Sequence, residues 1–269
     1  MYKKAKEKGT EAISMEYDIP QEEVEVLLPS LIVLNRLLKY TVNDSILLSN
    51  VLLSDAVMFE MLFPKEASFV VKAYEEFTLQ SATSIAERFG RDTGHISRVS
   101  SVALEIYDKM KKLHGYKLRE RTLLQVSAIL QDIGKYVNVR NHALLSYNTI
   151  TNLDIVGIND HERLIIATVC YYHNGNIPSM DSPIYNQLSQ EDRVMVSKLA
   201  AILQISNAIN TSHSPKFEQV SVNMKNGKLN IYLTTLKNIN LEKWAFIAKT
   251  KLFREVYGLN ATIIKRGVL

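Results

Sequence analysis

The chain has 269 residues, 46% of them hydrophobic and 22% charged, with a net charge of +4 and a pI near 8.9. That composition excludes a disordered or fibrous protein and provides enough apolar surface for one large or two ordinary domains. The mild basicity tolerates an anionic ligand without requiring one, and a single cysteine, Cys170, excludes an internal disulfide. Within "LIIATVCYY" that thiol reads as a small core hydrophobe, which fits a reducing, cytoplasmic setting.

In chain order, "MYKKAKEKGTEAIS" is basic with no apolar run behind it and does not read as a signal peptide. Residues 20–40 open with Pro20 and two glutamates, as helix starts do, and Leu31, Leu34, Leu37 and Leu38 form a stripe that Pro29 is expected to break or kink. "SILLSN" is a candidate strand, a helix is predicted from Ser54, and Pro64 ends this first unit. The apolar run "SILLSNVLLSDAVMFEMLF" is interrupted by Asp55 and Glu60 and is not a membrane span.

From about residue 66 to 213 the period is helical. "DTGHISRVSSVALEIYDKMKKLHGY" starts at an Asp92 or Thr93 cap, places apolar residues at 99, 102, 103, 106, 110 and 113, and stops at Gly115. Further helices are predicted over about 120–133, stopped by Gly134, and near 142–152, 160–172 and 189–210. Short polar connections make this a mainly α bundle. From residue 216 the pattern changes. "QVSVNMKNGKLNIYL" alternates about Asn226-Gly227, a hairpin signal, and a helix "LEKWAFIAKTKLFREVYG" and a strand "ATIIKR" follow, giving a small ββαβ α+β tail.

His95 lies four residues before Val99, on the inward stripe near the start of its helix, and Asp132 lies at the end of a neighbouring predicted helix. Antiparallel packing would bring the two together. His142, His173 and Asn207 sit on or beside three later helices, and a bundle can converge such residues on one pocket, which is how helical metal sites are built.

The order His95, "QD" at 131–132, His142, His173 and "ISNAIN" at 205–210 resembles the HD-domain metal phosphohydrolases. More closely, "GHISRVSSVALEIYDKM", "LLQVSAILQDIGKYVN", "SYNTITNLDIVGINDHE", "ATVCYYHNG" and "KLAAILQISNAINTSH" are similar to the C-terminal half of the exopolyphosphatase / guanosine pentaphosphate phosphohydrolase family. The resemblance covers nearly the whole chain. It implies that residues 1–65 form a helical segment like the end of that family's second actin-like domain, with an HD-like helical domain over 66–213 and an α+β appendage over 216–269. It further implies polyphosphate or guanosine polyphosphate as partner, a homodimer, and a pocket for a divalent ion (Mn, Fe, Zn or Mg) should its ligands be intact. Arg98, Lys135 and Arg140 are then candidate phosphate contacts, and no membrane or nucleic-acid role is implied.

The ligand set departs from the HD pattern. Gln131 stands where histidine precedes the aspartate, Asn207 and Asn210 stand for aspartates, and Leu145 takes the place of a further histidine. A carboxamide is a poor substitute for imidazole at a transition-metal site, so a degenerate site at His95, Gln131, Asp132, His142, His173 and Asn207 is expected. Each survivor also has a plainer reading: His95 as a hydrogen-bonded pocket histidine, Asp132 as a partner of Lys135 or Arg140 or as holder of the His95 tautomer, His142 as a helix start, and His173 as a cation at a helix end. His114, His161 and His213 have no claim on the pocket.

In the resembling family, phosphoanhydride hydrolysis belongs to an N-terminal region with glycine-rich phosphate loops. Only Gly9 precedes Gly90 here, so that catalytic half is expected to be supplied elsewhere, on the same gene or on a separate chain. P-loop, G-x-S-x-G, C-x-x-C and H-E-x-x-H motifs are absent from the sequence. The leading expectation is an accessory binding region without turnover of its own. The alternatives are a residual metal-dependent phosphohydrolase and a pure dimerisation scaffold.

Overall fold

A computed structural model describes residues 2–41, 53–63, 68–212, 216–225 and 227–267. The chain is mainly α with a small α+β part and falls into two compact units, residues 1–64 and 65–269. Among the described residues no helix is long and apolar enough to cross a membrane. The predicted strand "SILLSN", and His213, lie outside the described residues.

The first unit holds α1 (Tyr2–Tyr17), interrupted at Gly9 with φ +78°, α2 (Gln21–Tyr40) and α3 (Leu53–Leu62). Helix α2 runs through Pro29 instead of ending there. Ile13 of α1 and Val24 of α2 form its small core, with Ile19, Leu27 and Leu31 packed around them.

The second unit contains α4 (Ser68–Arg88), α5 (Thr93–Lys109), α6 (Lys111–His114), α7 (Leu118–Leu130), a 3-10 turn over Ile133–Tyr136, α8 (His142–Ile150), α9 (Asp160–Tyr172), α10 (Pro183–Asn186) and α11 (Gln190–Ile209). The tail follows as β1 (Gln219–Lys225), β2 (Lys228–Thr234), α12 (Asn240–Tyr257) and β3 (Asn260–Arg266). Asp92 caps α5 by accepting from the Gly94 amide. The helix predicted to reach Gly115 instead breaks at Met110, leaving α6 as a single turn closed by Gly115 in the left-handed region.

Helix α11 is the centre of the core. Leu199 to Ser206 are all buried, so this part of the helix is enclosed by neighbours around its whole circumference. It packs against α5, α9 and α12. The tail sheet has order β1-β2-β3, antiparallel between β1 and β2 and parallel between β2 and β3, with α12 as the crossover. Leu229, Ile231 and Leu233 of β2 and Phe246 and Phe253 of α12 join the same apolar core as the bundle.

Two clamps align the helices. Arg119, in the first turn of α7, donates to Glu162, in the first turn of α9, through Nε (2.6 Å) and also to the Gly157 carbonyl (2.7 Å). These two helices therefore start together and run parallel, and their last residues emerge at one end of the bundle. At that end Ser146 of α8 donates to the Gln131 carbonyl (2.8 Å) and accepts from the Gly134 amide (2.9 Å). A Cβ at Gly134 would lie 2.2 Å from the His142 carbonyl oxygen and 2.5 Å from the Ser146 nitrogen. The glycine of "QDIGKY" is thus the close-approach point that lets α8 sit on the turn. Gly134→Ala is expected to destabilise the chain by about 3 kcal/mol or more, read as a lowered urea midpoint; a midpoint unchanged from the parent would disprove this role.

Candidate metal centre

Five helix ends meet where α7 stops. His95 lies in the first turn of α5, Gln131 follows α7 and Asp132 precedes the 3-10 turn. His142 opens α8, His173 follows α9, and Asn210 follows α11. All six side chains are buried, between 0% and 7% exposed. The convergence expected of His95, Asp132, His142 and His173 is present. Asn207 is half-buried and Asn210, one turn on, makes the contact with His95 instead.

Asp132 is the centre of the cluster. Its Oδ1 lies 3.3 Å from His173 Nε2 and 3.6 Å from His142 Nε2, and its Oδ2 lies 3.8 Å from His95 Nε2 and 2.6 Å from Lys135 Nζ. The two histidines are fixed from behind. His142 Nδ1 faces the Val139 carbonyl at 2.8 Å and His173 Nδ1 faces the Cys170 carbonyl. A carbonyl oxygen only accepts, so both Nδ1 atoms carry hydrogen, and the neutral rings present lone pairs at Nε2. Those two Nε2 atoms are 3.3 Å apart. Two imidazole lone pairs and a carboxylate oxygen thus converge, and three acceptors at that spacing need a cation between them. A second proton on His173 meets the need, and so does a metal ion.

Burial alone would raise the Asp132 carboxyl, but the hydrogen bond and charge of His173, with Lys135 behind them, hold it well below the usual carboxylate range. Burial, helped by the charge of His173, pushes the His142 imidazole down. Lys249 of α12, half-buried, is lowered by burial and feels both Asp132 and Lys135, and its side chain runs beside Gly175 just beyond His173. No motif marks Lys249; the tail pattern predicts only a helix there.

The same geometry serves as a test of metal fit. A first-row ion bound tetrahedrally at about 2.1 Å separates its ligands by about 3.4 Å. The triangle of Asp132 Oδ1, His142 Nε2 and His173 Nε2, with edges of 3.3, 3.3 and 3.6 Å, matches one face of such a site. The backbone carbonyls behind both rings are the outer-shell partners that ligating histidines need. The residues fit a divalent ion.

The remaining expected residues are placed less centrally. Gln131 is 1% exposed and neither carboxamide atom has a hydrogen-bond partner among the described residues. Together with Arg91, His95, Asp132, Lys135 and Val139 it lines a cavity of about 270 Å³. Arg98 is held by Asn210 (3.3 Å) and Asp92 (3.9 Å), and Arg140 is exposed beyond the 3-10 turn. Cys170 is fully buried, with burial raising its thiol pKa well above the usual value, so it is no nucleophile. His114 is buried between Tyr107 and Tyr116, and His161 pairs with Asp192. A larger cleft of about 810 Å³ lies at the opposite end of α11, beside Ser189 and Met195, and gathers no comparable set.

Two consequences are measurable. Gln131→Leu removes two unpartnered buried polar atoms and is expected to raise stability by about 1–2 kcal/mol, checked by thermal or urea unfolding. For Asp132, whose pKa is lower folded than unfolded, the carboxylate adds stability that is present above pH ~4 and lost as pH falls below it. The stability gap between the parent and Asp132→Asn is therefore expected to be widest near neutrality and to narrow between pH 5 and 2, as followed by urea unfolding across that range.

A family model for Ppx/GppA phosphatase, domain III, matches residues 79–252, from within α4 to within α12. With that match over well more than half of its length, the chain belongs to the Ppx/GppA phosphatase family.

Proposed function

We propose that this chain is the C-terminal accessory region of an exopolyphosphatase-like protein, with an HD-type pocket reduced to a single cation centre. The region binds polyphosphate or guanosine polyphosphate and aids dimerisation, and it does not hydrolyse either ligand by itself. The observation that carries the reading is the Asp132–His142–His173 triangle beside a buried Gln131, the one such set of three donors among the described residues.

In this reading Asp132 Oδ1, His142 Nε2 and His173 Nε2 hold the ion. A divalent metal there supplies Lewis acidity and lowers the pKa of a bound water. The chain's own part is to fix both rings by their backbone carbonyls, to balance Asp132 through Lys135, and to offer cations to an anionic chain. Lys135, Arg91 and Lys249 lie nearest, with exposed Arg140 further out. The dimer and the phosphate-chain ligands rest on family membership.

A second reading, a metal-dependent phosphohydrolase, is favoured by one observation: three protein ligands, the number gathered at Asp132, His142 and His173, are the set that catalytic zinc sites use. Turnover separates the two. The purified chain, incubated with manganese or zinc and cleared of loose ions, is expected to retain about one equivalent, lost in Asp132→Ala. It should bind polyphosphate with affinity that weakens as salt rises and release no phosphate. Metal-dependent phosphate release that disappears in Asp132→Ala would establish the second reading, and a chain that binds neither metal nor polyphosphate would refute both.

A further inference from the structure

His95 belongs to the metal set by position, yet its hydrogen bonding points elsewhere. Its Nδ1 lies 2.7 Å from the Asn210 side-chain nitrogen, across from the end of α11. Which way that amide faces is decided by Arg98, whose Nε lies 3.3 Å from the other amide atom. A guanidinium only donates, so the atom facing Arg98 is the oxygen. The NH₂ group then faces His95 and makes Nδ1 an acceptor. A neutral imidazole that accepts at Nδ1 carries its hydrogen at Nε2, the atom that faces Asp132 Oδ2 at 3.8 Å.

We infer that Arg98 and Asn210 are positioning residues that hold His95 in its Nε2–H tautomer, so that His95 points an N–H at the Asp132 carboxylate from 3.8 Å and is excluded as a metal ligand. The contrast with its neighbours is direct. His142 and His173 each give their Nδ1 hydrogen to a carbonyl, which leaves Nε2 as the atom that can share a cation with Asp132, whereas His95 accepts at Nδ1 and carries its hydrogen at Nε2. The pocket is thus divided between a ligating side, built on α8 and α9, and a donating side, built on α5 and α11. The division rests on one atom of one side chain. An aspartate at 210 would accept from both Arg98 and His95 Nδ1–H, moving the hydrogen off Nε2 and freeing a third imidazole lone pair.

The inference does not rest on the proposed function, because it concerns the metal-free protein. Its test is the ¹⁵N spectrum of the histidine side chains at a pH where His95 is neutral, in the full chain without metal. The parent is expected to show His95 as the Nε2–H form and Asn210→Asp as the Nδ1–H form. Arg98→Met, which frees the amide to rotate, should give a mixture of the two and covers the case in which Asn210→Asp fails to fold. Zinc titration of the same samples supplies a second readout. Asn210→Asp should bind zinc tenfold or more tightly than the parent, and the added affinity should vanish in Asn210→Asp combined with His95→Ala. A parent His95 in the Nδ1–H form, or a tautomer indifferent to both substitutions, would overturn the assignment even if metal binding at Asp132 is confirmed.

Discussion

A carboxylate held almost out of water makes the strongest demand in this molecule. Asp132 is 5% exposed, and a charge so placed must be surrounded by groups that favour its ionised form. Lys135 does so from within the same turn at 2.6 Å. The other three neighbours are imidazoles, and their protons are assigned by atoms further out: the Val139 and Cys170 carbonyls and the Asn210 amide. The electrostatics of the site are therefore written in its second layer of contacts.

The fold is arranged to satisfy that carboxylate from several directions. The Arg119–Glu162 clamp makes α7 and α9 run parallel, so Asp132 and His173 leave their helices side by side. Gly134 lets α8 settle directly on the turn, which carries His142 into place. Gln204 of α11 donates to the Tyr172 and Asn176 carbonyls and fixes the end of α9 around His173. The tail shares the bundle's core and carries Lys249 to the edge of the site, so the charge around Asp132 has a contribution from α12.

Much of this was legible in the sequence, for definite reasons. Helices α7, α8, α9 and α11, the hairpin and the last strand follow from apolar periodicity and from Gly115 and Gly227, which fall at element ends, whereas α7 stops at Leu130 and Gly134, expected to end it, lies inside the 3-10 turn that follows. His95, Asp132, His142 and His173 could be grouped because the order of helix ends in an antiparallel bundle is readable once the helices are. Finer choices were not readable. Whether Asn207 or Asn210 reaches His95 depends on the rotation of α11 in its last turn, and spacing alone does not set that. The break at Met110 and the passage of α2 through Pro29 have no signal in the periodicity, and the approach of Lys249 depends on packing of α12 against the distant bundle. The tautomers are the least visible of all, since each depends on a carbonyl or amide on a neighbouring loop or helix.

The central claim is that Asp132, His142 and His173 are preorganised to share one cation. A crystal structure of the chain grown with manganese or zinc, with anomalous data collected at the metal edge, tests it most directly. The account predicts one peak within bonding distance of Asp132 Oδ1 and the two Nε2 atoms, with the rings still donating to the Val139 and Cys170 carbonyls and His95 outside the coordination sphere. A peak ligated by His95, or a cluster free of metal with a metal held elsewhere, would contradict it.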